Sequence, residues 1–233
     1  LLLDASGAPA RHRGRTRSHD WDEVQDFCRT VYMPYRVRPL ERGARPDATM
    51  LSAHAGRVTM TRFSYGTGIF LDRFDPEAGN IIVLNTLRGA LSHQTSGAPA
   101  STGAGESFVV DCSRADYWLE GDSDHMQFNL TIPHAVMEET ARRWFGFVPD
   151  DRLWTCRTKF GGPGSPWLAL LDYAARTMAG PGPMPADGPL ARHLEEIICI
   201  ELLRRWAAAA GIRLEDGART AAPGYVRRAE EIL

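Results

Sequence analysis

Val58-Thr-Met-Thr-Arg-Phe-Ser-Tyr65 alternates along its length and is rich in threonine and aromatic side chains, the pattern of a β-strand with one face against a core. Similar stretches follow it. Gly66-Thr67-Gly68 reads as a turn into a strand over 69–74, and Asp75-Pro76-Glu77-Ala78-Gly79-Asn80 as a loop. Ile81-Ile-Val-Leu-Asn-Thr-Leu87 starts apolar on both faces and so reads as a buried strand. Arg88-Gly89 turns into a strand over 90–95, which Ser96-Gly97-Ala98-Pro99 breaks. Ser107-Phe-Val-Val-Asp-Cys112 follows Gly103-Ala104-Gly105, and strands over 116–120 and 125–132 flank the loop Gly121-Asp122-Ser123-Asp124. About eight short strands at such regular spacing predict an antiparallel sandwich or barrel between Ala48 and Pro133.

Helical signals lie on both sides of this block. Upstream, Asp20 is placed to cap a helix over 21–32, where Trp21, Val24, Phe27, Cys28 and Val31 recur at helical spacing before Pro34. Residues 1–20 read as a flexible arm. Its Arg11, Arg13, Arg15 and Arg17 are interleaved with small polar residues and have no apolar period, as in a solvated tail. Downstream, 134–145 carries Val136, Met137, Thr140, Ala141, Trp144 and Phe145 near one face. Ser165-Pro166-Trp167 is a helix start with serine at the N-cap and proline at the first position. The longest helix opens at Pro189, ends near Gly211 and repeats Leu190, Leu194, Ile198, Leu202 and Trp206 every four residues. Ile197, Cys199, Ile200 and Leu203 make it apolar on further sides, so it can cover the barrel with one face and meet a partner with another. Residues 217–222 read as an interdomain linker. Pro223-Gly224-Tyr225-Val226-Arg227-Arg228-Ala229-Glu230-Glu231-Ile232-Leu233 then opens an amphipathic helix too short to bury its own stripe. It reads as the first element of a second domain, or as a helix docking on the main body.

Composition narrows the class. At 233 residues the chain can bury a core for one or two domains. With 27 basic against 29 acidic residues the net charge is -2, so the body is not a nucleic-acid binder by charge, and a basic DNA-binding surface is expected past Leu233. Cys28, Cys112, Cys156 and Cys199 form no C-x-x-C pair and read as free buried thiols, in keeping with a reducing cytoplasm. No apolar run reaches transmembrane length, and Leu1-Leu2-Leu3 is too short for a signal sequence. A cytoplasmic protein without a membrane partner is expected. Its start, which is not methionine, reads as a fragment boundary.

Chemistry-bearing motifs are sparse. Gly105 enters a strand where positive φ or close backbone approach is expected. Asp111 ends an apolar strand, where its carboxylate can accept from a following turn. A metal-dependent cupin needs a His-x-His pair whose members converge from one strand face. Here His93 is followed by Gln94 and Thr95, and His54 and His125 stand alone, so no metal, no cofactor and no catalytic residue are expected. Gly161-Gly162-Pro163-Gly164 lacks the Lys-Ser/Thr ending of a phosphate loop, and no Gly-x-Ser-x-Gly elbow or triad context occurs.

The Tyr225-Val226-x-Arg228-Ala229-Glu230 run resembles the opening of the DNA-binding domain of AraC-type transcriptional regulators. Leu87-Arg88-Gly89-x3-His93-Gln94, Gly105-Glu-Ser-Phe-Val-Val-Asp111 and Phe128-Asn-Leu-Thr-Ile-Pro133 look like the barrel strands of one large subgroup. The resemblance spans residues from about 20 to 233 and implies a cupin-like barrel, then dimerising helices, then the start of a helix-turn-helix domain. It implies promoter DNA as partner of the complete protein through that missing domain.

The expected architecture is α+β, an antiparallel cupin-like β-barrel followed by a helical dimerisation region. Its divisions are an arm (1–20), a helix plus barrel (21–133), a dimerisation region (134–216), and a linker with the first helix of a truncated domain (217–233). Phe63, Tyr65, His93, Trp118 and Phe128 are expected to contact a small-molecule effector, the lumen-facing side of each strand being open until register is known. A homodimer is expected through Leu194, Ile198 and Leu202. A small cupin-like enzyme, a non-enzymatic small-molecule-binding barrel and a barrel that serves only for assembly, without a ligand, are the alternatives.

Overall fold

The computed structural model describes residues 17–178, 185 and 187–214. The bulk of the expected arm, and the linker and truncated helix over 217–233, lie outside the described residues. In chain order the elements are β1 (Arg17–Ser18), α1 (Trp21–Val31), β2 (Arg36–Pro39), β3 (Ala48–Ala55), β4 (Val58–Ser64) and β5 (Ile69–Asp72). Then come β6 (Asn80–Arg88), β7 (Leu91–Gln94), β8 (Pro99–Thr102), β9 (Glu106–Asp111), β10 (Leu119–Gly121) and β11 (Met126–Pro133). Last are α2 (His134–Phe145), α3 (Asp151–Trp154), β12 (Thr158–Gly161), α4 (Pro166–Met178) and α5 (Pro189–Ala209).

Seven strands in the order β1-β3-β4-β11-β6-β9-β12 form one antiparallel sheet, and five in the order β2-β5-β10-β7-β8 form a second. The large sheet is covered on both faces. One face, with Phe63, Ile82 and Phe108, packs against Ile69, Leu71, Leu91 and Leu119 of the small sheet and against Val24 and Cys28 of α1. The other face, with Met60, Val83, Val109 and Leu130, packs under Met137 of α2, Trp167 of α4 and Ile198 of α5. This double covering is why 81–86 is buried without alternation.

Local signals act as read. Asp20 Oδ1 accepts from the backbone N–H of Asp22 at 2.8 Å and of Glu23 at 3.3 Å, capping α1. Ser165 Oγ accepts from Leu168 N at 3.4 Å at the start of α4. Gly105 adopts φ +89°, and a Cβ there would meet Pro163 N at 3.0 Å. Asp111, fully buried, accepts from Ser113 N at 2.9 Å and lies 2.6 Å from His134 Nδ1. β11 passes into α2 with no residue between them.

The short edge strands β2, β8 and β12 were not expected from the sequence. β2 ends on Pro39 and β8 starts on Pro99, residues that read as breaks but are tolerated on a sheet edge. β12 has four residues and ends in glycine, and its pairing with β9 holds it.

The structure corrects the dimerisation residues. Leu194, Ile198 and Leu202 are 1%, 0% and 0% exposed and belong to the chain's own core. α5 is apolar on two sides, and spacing alone does not tell the side facing the sheet from the outer one. Its exposed large apolar residues are Leu190 and Ile197, seven positions apart and so on one face.

Candidate functional site

Alternation along β11 decides what lies between the sheets. Phe128, Leu130 and Ile132 point into the helical layer, so Gln127 and Asn129 point into the interior. Asn129 Nδ2 donates to Tyr32 Oη at 2.9 Å, and Tyr32 Oη lies 2.6 Å from Thr61 Oγ1 of β4. Asn80 Nδ2 donates to Tyr32 O at 2.9 Å, so this residue after α1 is held at both ends. Tyr35 Oη hydrogen-bonds Tyr65 Oη, which faces Cys28 Sγ at 3.9 Å, and Tyr117 Oη lies 3.0 Å from Cys112 Sγ. Burial pushes all four phenols above their ordinary value and the Cys28 and Cys112 thiols up to about 12. Every one of these groups is therefore protonated and neutral near pH 7.

Tyr32, Tyr35, Phe74, Tyr117, Gln127 and Asn129 surround a cavity whose remaining walls are aliphatic. It holds about 30 Å3 open to the centres of water molecules, space for a water or two. Phe74 stacks on Tyr117 with ring centres 4.1 Å apart and lies 5.2 Å from Tyr35. Among the described residues no charged side chain lines the cavity. Gln127 is 6% exposed and Asn129 fully buried, yet Gln127 Oε1 and Asn129 Oδ1 have no hydrogen-bond partner. Buried polar atoms are rarely left so, and two in one cavity make it the candidate site.

Phe63, Tyr65 and His93 are buried between the sheets but lie outside this cavity lining. Phe63 and Tyr65 pack edge to face beneath α1, ring centres 4.6 Å apart. His93 stacks on Phe108 at 3.9 Å. The other two expected contacts are corrected. Phe128 belongs to the helical layer, because β11 turns its odd-numbered side inward. Trp118 stacks on half-exposed Phe70, ring centres 5.8 Å apart, with Arg38 over the Phe70 ring, on the outer side of the small sheet. Tyr32, Tyr35, Phe74, Tyr117, Gln127 and Asn129 were missed. The polar row of β11 reads as a solvent face unless the strand is known to be covered on both sides.

His93 Nδ1 and Nε2 and His125 Nε2 are buried without partners. Burial lowers both imidazoles from 6.5 to about 4. The unfolded chain takes up these protons near 6.5 and the folded chain only near 4, so in between the unfolded state binds more protons. Stability is intact above 6.5, falls on acidification and has lost the full contribution below about 4. Each group accounts for about 3 kcal/mol over that window. Urea titrations at a series of pH values check this, and His93→Leu should flatten the slope by about half. A midpoint flat from pH 6.5 down to 5 would contradict it.

Two sheets packed around a polar-floored interior, with helices across the outer face of the larger, make a cupin-like domain. The model of the AraC-binding-like domain matches residues 24–204, and the chain belongs to that family, as the effector-binding part of a transcriptional regulator. The crystal structure of the AraC-like transcriptional activator CuxR is similar, with a TM-score of 0.59 and 14% identity over 82% of this chain and 69% of that one. At that identity the likeness is one of fold. The protein Ylba from E. coli has a TM-score of 0.34 and 12% identity over 49% of this chain and 43% of its own. KdgF from Halomonas sp. has a TM-score of 0.31 and 14% identity over 42% of this chain and 86% of its own. A search of the curated proteins finds no match. Among the described residues no helix is long and apolar enough to cross a membrane, and no three His, Cys, Asp or Glu residues are grouped to hold a metal ion.

Proposed function

We propose that this domain takes up a small-molecule effector between its sheets and, as a homodimer in the cytoplasm, relays its occupancy to promoter DNA through a DNA-binding domain, without catalysing a reaction. The observation that supports it is the uncharged interior with two buried, unpartnered amide oxygens. The protonated phenols and thiols around it are poor acids, bases and nucleophiles near neutral pH, which favours a sensor over a catalyst. For the dimer, the outer face of α5 with Leu190 and Ile197 takes the place of the buried stripe.

A thermal-shift screen of small molecules against the purified chain tests the first part. An effector at a hundred times its Kd stabilises by about 2.7 kcal/mol, a rise in Tm of several degrees. Promoter binding by the complete regulator, with and without the hit, tests the relay. A ligand that binds inside the barrel and leaves promoter affinity and transcription unchanged overturns it.

A further inference from the structure

The cavity chemistry restricts the effector. The hydroxyls of Tyr32, Tyr35 and Tyr117 already have partners within the protein. Asn129 Nδ2 donates to Tyr32, which turns Oδ1 away from that bond, and Gln127 Oε1 beside it is equally unpartnered. Two buried acceptors therefore await donors. A carboxylate or phosphate would meet acceptors and no cation, and an ammonium group no counter-charge, each with a large desolvation cost. Around the acceptors stand the rings of Tyr35, Phe74 and Tyr117; Phe74 stacks on Tyr117 at 9°, Tyr35 is tilted by 35° to Phe74, and their flat faces suit another ring.

From these residues we infer that the effector is a small, uncharged aromatic molecule whose O–H or N–H groups donate to Gln127 Oε1 and Asn129 Oδ1. The inference rests on the interior being the effector site. The space as it stands is too small for such a ring, so Tyr35 and Phe74, both only half-buried, must swing outward. They are coupled, since Asp75 N donates to Pro34 O at 2.9 Å. Phe74 also follows Arg73, the sole non-glycine with positive φ (+56°) among the described residues.

The test uses phenol, anisole, toluene and benzoate, titrated into the isotope-labelled chain. Calorimetry gives affinity, and the side-chain amide resonances of Gln127 and Asn129 give location. Phenol should bind about tenfold more tightly than anisole or toluene, as befits one buried hydrogen bond, and should shift both amide resonances. Benzoate should bind more weakly than phenol by at least that factor. Gln127→Leu, which removes an oxygen with no partner in the protein, should leave the Tm unchanged or higher and abolish most of the preference for phenol over anisole. Anisole equal to phenol, or benzoate tighter, overturns the ligand class while leaving the site, provided the interior resonances move. Phenol that binds and moves only resonances outside the barrel overturns the site as well. No phenol binding at millimolar concentration overturns the ligand class.

Discussion

Ile198→Asp should leave the chain unfolded, whereas Ile197→Asp should leave it folded. Ile198 is 0% exposed and sits between Leu194 and Leu202 in the core shared by α5 and the large sheet. The exchange removes about 2 kcal/mol or more of apolar burial and inserts an unpaired carboxylate, whose further penalty is several kcal/mol. The sum approaches the whole stability of an ordinary domain. Ile197, one position earlier, is 50% exposed, so the same substitution should cost within about 0.5 kcal/mol. Circular dichroism and urea titration separate the two variants. Light scattering then asks about association: if α5 pairs through Leu190 and Ile197, Ile197→Asp should convert a folded dimer into a folded monomer. A folded Ile198→Asp protein would contradict the packing described. A wild-type chain that is monomeric at tens of micromolar would remove the support for the dimer.

Asn85→Ala should cost about 3 kcal/mol or more, although the residue touches neither the cavity nor the surface. Asn85 is 0% exposed on β6. Its Oδ1 accepts from Trp167 Nε1 at 2.8 Å and from Ser107 Oγ at 2.6 Å, and its Nδ2 donates to Phe128 O at 2.6 Å. Alanine strands the indole N–H, the serine hydroxyl and the carbonyl in an apolar setting, each at about 1 kcal/mol or more, and opens a void. Trp167→Phe, which removes one donor but keeps most of the ring, should cost about half as much. Equilibrium unfolding in urea reads both, and a loss below about 1 kcal/mol for Asn85→Ala would show that the node does not hold α4 to the sheet.

The sequence carried the outline of this fold where period and punctuation agree. Asp20 and Pro34 bracket α1, Gly105 opens β9, and Pro133 stands where β11 gives way to α2. Edge strands were less legible, because proline and glycine there serve the sheet border and not a break. The interior was least legible. All five expected contacts depended on register, because a shift of one residue exchanges faces: Phe63, Tyr65 and His93 are buried between the sheets but outside the cavity lining, and Phe128 and Trp118 lie on other faces. Gln127 and Asn129 look like a solvent face on paper. Only the tertiary fact that both faces of β11 are covered turns them into a buried polar floor. The same ambiguity made the α5 stripe resemble a partner surface.

The seamless passage from β11 to α2 has a mechanical consequence. A loop between sheet and helix would act as a joint and dissipate small displacements. Here Asn129 on the cavity floor and Val136 in the helical core lie on one run of strand and helix with no loop between them, and His134 at the seam is clamped by its backbone N–H on Gly79 O at 2.8 Å and its ring on buried Asp111. Close-packed interiors transmit strain and do not absorb it. The strand and helix therefore form a crank without a bearing, and if the proposed ring wedges against Asn129, the displacement to look for is a tilt of α2 against α5.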